Sequence, residues 1–145
     1  MKNQITIVLI LTTALSSYGQ ISRTELLGKW ICENNDSSYY ENKLVTFYSD
    51  SAFKDRSSQC NFVEWTIETD RFFITGLNKC LNDGQVHGSM SLLRDDIDLS
   101  KDGRKRIIEL VRGDDVYARF KVVEFGRQRV DNNSRTIKVL KLKRL

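Results

Sequence analysis

From Ile21 onward, apolar and polar residues trade places in short bursts, the two-residue period of strands with one buried face. The first signal is of another kind. Ser22 and Glu25 have capping-box spacing, which starts a short helical turn ending at Gly28. Lys29–Cys32 then begins an extended run, and the polar segment Asn34–Ser38 reads as a loop. Lys43–Tyr48 is rich in β-formers, Ser49–Ser51 turns, and Ala52–Lys54 returns.

Phe62–Glu68 alternates, turns at Thr69 and Asp70, and resumes as Arg71–Thr75. A two-residue turn sets Trp65 near Ile74, Ile67 opposite Phe72, and Glu68 across from Arg71. Further strand-like pieces cover Gln85–Leu93, Asp96–Leu99, Ile107–Val111, Val116–Val123 and Thr136–Leu142. Turn signals separate them at Asn82–Gly84, Lys101–Gly103, Gly113–Asp115 and Asp131–Ser134. The pattern predicts an all-β domain, an antiparallel up-and-down meander closed into a barrel of about eight to ten strands. Closure removes the exposed edges that such a meander would leave.

Size and composition narrow this little further. The 145 residues, 40% hydrophobic and 29% charged, are enough for one globular domain. No run reaches the ~18 apolar residues of a membrane-spanning helix, so stable membrane insertion is not expected. The formal charge of +4 is too small and too mixed to indicate nucleic acid.

The N-terminus has its own grammar. Lys2 precedes an apolar run from Ile5 to Leu15, and Ser17 and Gly19 put small residues at a cleavage site. Residues 1–20 therefore read as a cleavable signal peptide and 21–145 as the domain, exported to the periplasm or the exterior. An oxidising compartment permits one disulfide among Cys32, Cys60 and Cys80. The hairpin centred near Asp70 favours Cys60 with Cys80, and three unpaired thiols remain the alternative.

At Leu26–Trp30 the helical turn runs into Gly28-x-Trp30, which resembles the start of the lipocalin-like families. Val45–Phe53 and Trp65–Ile74 look like the next hairpins of small exported bacterial members. The resemblance implies an up-and-down barrel in which Gly28 and Trp30 close one end. It also implies an Arg covering that Trp, with Arg144 as the candidate. The family's T-D-Y element has no clean counterpart, because Thr69-Asp70 falls too early.

Phe47, Phe53, Trp65, Ile67, Phe72 and Phe120 are the expected inward residues. They either line a pocket for a small apolar or amphiphilic ligand or fill the barrel themselves. Other chemistry finds little footing. Asp96, Asp98 and Ser100 begin a calcium-loop pattern, but Lys101 stands where such a loop needs Gly and Ile107 where it needs Glu. His87 has no Cys or carboxylate at ligand spacing. Glu64 and Glu68 alternate with apolar neighbours and read as solvent-facing, as do the basic residues Arg104–Arg106, Arg127, Arg129 and Lys138. The expectation is an exported, non-catalytic binder of a small hydrophobic molecule, with no cofactor and no metal. The alternative is a filled barrel that acts as an envelope protein-interaction module.

Overall fold

The structure, a computed structural model, describes residues 20–34, 36–49, 59–80, 87–90, 95–130 and 135–145. The expected leader up to Gly19, the expected return strand with Phe53, and the expected turns at 82–84 and 131–134 lie outside the described residues.

The chain enters through α1 (Arg23–Leu26), capped as its sequence predicts. The Glu25 N–H donates to Ser22 Oγ at 3.3 Å, and the Ser22 N–H donates back to Glu25 Oε2 at 2.8 Å. The Ser22 N–H and then its hydroxyl, both donating to Glu25 Oε2, hold that carboxyl below its usual range. Gly28 then turns the chain into β1 (Gly28–Cys32) at φ 118°, a left-handed backbone that a side chain would strain.

After β1 come α2 (Asp36–Glu41), β2 (Leu44–Tyr48), β3 (Asn61–Ile67), β4 (Phe72–Asn78) and β5 (His87–Met90). The wall is completed by β6 (Asp95–Asp102), β7 (Lys105–Arg112), β8 (Asp115–Val130) and β9 (Arg135–Arg144). Every strand pair is antiparallel. Eight strands close on themselves in the order β1-β2-β9-β8-β7-β6-β4-β3, and β5 adds to β4 beside β6. The all-β, up-and-down barrel expected from the alternation is therefore the fold. One local departure exists: β1 lies between β2 and β3, so the sequential order is exchanged there.

The hairpin of β3 and β4 pairs as its alternation predicts, Trp65 with Ile74 and Ile67 with Phe72, and the Glu68 N–H donates to the Arg71 carbonyl. Its far end carries the Cys60–Cys80 disulfide, where the Lys79 N–H also donates to the Cys60 carbonyl. The segment read as a loop at Asn34–Ser38 instead leads into α2. A six-residue helix is shorter than the window in which helical periodicity can be seen. Glu64 also departs from expectation. It points outward from β3 yet is buried, accepting from Lys29 Nζ at 3.2 Å and Thr66 Oγ1 at 3.3 Å.

Candidate functional site

Inward positions of the strands converge on Trp65, which has no exposed surface. Its ring centroid lies 4.4 Å from Phe47, 5.5 Å from Phe72, 5.8 Å from Phe120 and 6.5 Å from Tyr39. Three of these meet it nearly edge-on, the arrangement that ring quadrupoles favour. Ile67 joins the same buried cluster, so five of the six expected inward residues are brought together, and Phe53 lies outside the described residues. A void of ligand size would leave accessible surface on the side chains that wall it, and Phe47, Trp65 and Phe120 have none. As it stands, the interior around Trp65 is filled by its own rings.

The two ends of the barrel are closed differently. At one end α1 is tied to the wall from several directions. Arg23 donates to the Glu68 and Arg71 carbonyls at 2.8 Å each and pairs with Asp96 at 2.9 Å. Gln20 donates to the Leu99 carbonyl and Lys138 to the Glu25 carbonyl. Trp30 sits beneath, fully buried, its Nε1 donating to the Leu26 carbonyl at 2.7 Å and its ring 6.2 Å from Phe125.

The opposite end is covered by α2. Tyr39 drops from that helix into the interior, 2% exposed, and its hydroxyl accepts from Trp65 Nε1 at 3.2 Å. Burial pushes its hydroxyl pKa well up, so the phenol stays protonated. Arg144, at the end of β9, donates from Nη2 to the Tyr39 carbonyl at 2.8 Å. Its guanidinium lies 4.6 Å from the Phe120 centroid and 5.5 Å from that of Tyr39. The Arg expected to cover Trp30 thus stands at the other end of the barrel. The antiparallel register explains the correction: β9 runs toward the α2 end, and its last residues pair with the first of β2. Tyr39 carries no strand periodicity, so the sequence reading missed it; two adjacent tyrosines in a polar stretch were the available signal.

At the start of β6, Asp95 is buried and held by Arg112 through two bonds, at 2.8 and 3.3 Å. Burial and this carboxylate together raise the Tyr117 hydroxyl. Cys32 is free and fully buried, and burial pushes its thiol up to about 12.

That thiol has a measurable consequence. Unfolded, it ionises near its ordinary value of 9.0, while folded it keeps its proton to about 12. Its raised pKa stabilises the fold fully below the unfolded value, and that contribution is lost as pH climbs through this window. Cys32→Ala should remove an alkaline loss of about 2 kcal/mol near pH ~10.5, read as the difference between urea melts of the two proteins at neutral and alkaline pH. Identical pH profiles for both would refute the assignment.

Comparison with protein-family models, curated proteins and solved structures finds no match. The class of the molecule, a closed eight-stranded antiparallel barrel, rests on its own geometry.

Proposed function

We propose that this chain is an exported, lipocalin-like barrel that takes up a small apolar or amphiphilic molecule at the α2 end, without catalysis. One observation carries the reading. The space above Trp65 is occupied by Tyr39, a side chain supplied by a short helix rather than by the barrel wall. Moving α2 outward would withdraw one ring and present Trp65, Phe47 and Phe120 to a ligand while leaving the strand ladders intact. The α1 end, tied to β3, β4, β6 and β9, supplies the fixed floor for such an exchange. A ligand that takes the place of Tyr39 gains roughly 25 cal/mol for each Å² of apolar surface it removes from water. The groups at this end are rings, a guanidinium and protonated hydroxyl and thiol groups, which suit binding better than bond making. Export rests on Lys2, the apolar run after it and the small residues at Ser17 and Gly19.

A second reading is favoured by the ring packing itself. A barrel already filled around Trp65 could serve only as a scaffold for contacts made by its loops and outer face. Native mass spectrometry of protein purified from its own envelope separates the two. The binding reading expects a fraction of the protein to carry a small-molecule adduct that is released on unfolding. Protein that always flies at its bare mass, together with a stoichiometric protein partner, would favour the scaffold. The same spectrum reads the leader: a mature chain starting near Gln20 or Ile21 is expected, and an intact Met1 on exported protein would refute export by cleavage.

A further inference from the structure

We propose that Arg144 is the anchor for the carboxylate of a monoanionic amphiphile, an inference that rests on ligand uptake at the α2 end. The guanidinium is placed like a ligand group and is incompletely used. Its central carbon lies over the Phe120 ring and near that of Tyr39, and Nη2 donates to the Tyr39 carbonyl. Nε is buried with no hydrogen-bond acceptor, and Arg144 makes no ion pair with any described residue. Several other charged groups are paired. Arg112, Arg119 and Arg23 each meet a carboxylate, and buried Glu64 and Asp95 each meet a cation. Arg144 meets no carboxylate among the described residues, and its Nε is buried without an acceptor.

Contact with a ring stabilises the cation. It does nothing for the N–H groups that lie in the plane, and an unmatched buried donor is costly. A carboxylate answers that deficit directly. Its two oxygens match the guanidinium fork in the plane, one on Nε and one in the position now held by the Tyr39 carbonyl. The exchange is concerted by geometry: the bond that a carboxylate must replace is one that retains α2, so binding the head group and withdrawing Tyr39 are the same event. The apolar part of the ligand then lies where the Tyr39 ring was, against Trp65, Phe47 and Phe120. The charge count favours a carboxylate over a phosphate monoester. One guanidinium neutralises one negative charge, and a second charge would be left among aromatic rings.

The test compares decanoate with 1-decanol at neutral pH, binding to the full domain by displacement of a fluorescent probe. Wild type should prefer the acid by about ten- to a hundredfold, the range expected for charged hydrogen bonds in a desolvated site. Arg144→Gln should bring the ratio of acid to alcohol affinity close to one, and Arg144→Lys, which keeps the charge but loses the fork, should fall between. If Arg144→Gln does not fold, the wild-type ratio and the Lys variant still decide. Equal affinity of wild type for acid and alcohol would overturn the role of Arg144 and leave the binding reading standing. A preference for the acid that survives Arg144→Gln would place the anchor elsewhere. Binding of neither molecule would overturn both readings.

Discussion

Trp65→Ala should destabilise the barrel by about 3–5 kcal/mol, the cost of removing a large side chain from a packed interior. Trp65 touches the rings of four fully or nearly fully buried residues drawn from α2, β2, β4 and β8. The loss of its indole would open a void that no neighbouring strand can collapse into, because the ladders on both sides hold the wall in place. It would also strip the Tyr39 hydroxyl of the N–H it accepts, leaving a buried polar group short of a partner. Such a loss is a large part of the ~5–15 kcal/mol by which domains are stable. Urea melts give the number directly. A cost below about 1 kcal/mol would mean that Trp65 faces open space, contrary to the packing described above.

Trp30→Ala should cost a similar amount, about 3–5 kcal/mol, for a partly different reason. This ring fills the α1 end, and its Nε1 bond to the Leu26 carbonyl occupies a helix-terminal acceptor that would otherwise be buried without a partner. Trp30→Phe separates the two effects. It keeps most of the ring volume and loses the hydrogen bond, so it should cost about 1–2 kcal/mol less than the full truncation. A Trp30→Ala protein as stable as wild type would remove Gly28-x-Trp30 as the closing element of the barrel. It would also leave the lipocalin-like resemblance without its most specific residues.

What could be read from the sequence follows from where the physics is local. Period-two alternation at Phe62–Ile67 states which face is buried, and a tight turn at Thr69 and Asp70 sets the register. Trp65 therefore meets Ile74 as the pattern requires, and Cys60 and Cys80 arrive side by side. The capping box at Ser22 is equally local, since both partners lie within one turn. Glu64 shows the limit of alternation. The pattern places it correctly on the outer face but cannot tell what covers that face, and the residue is buried against Lys29 and Thr66. The exchange of β1 and β2 in the wall is also invisible locally, because each strand would look the same beside either neighbour. Tyr39 and Arg144 are 105 residues apart, and only barrel closure brings them together. A contact of that separation leaves no periodic trace in the chain, so the α2 end of the barrel is the least legible.

Entry of a ligand through the α2 end onto Trp65 can be read in solution. The wild-type domain is titrated with a fluorescent fatty-acid probe that is excited through tryptophan. Uptake at the α2 end should give saturable energy transfer at one probe per chain, with loss of tryptophan emission in step. A signal that rises linearly to the probe's solubility limit, with tryptophan emission unchanged, would contradict it.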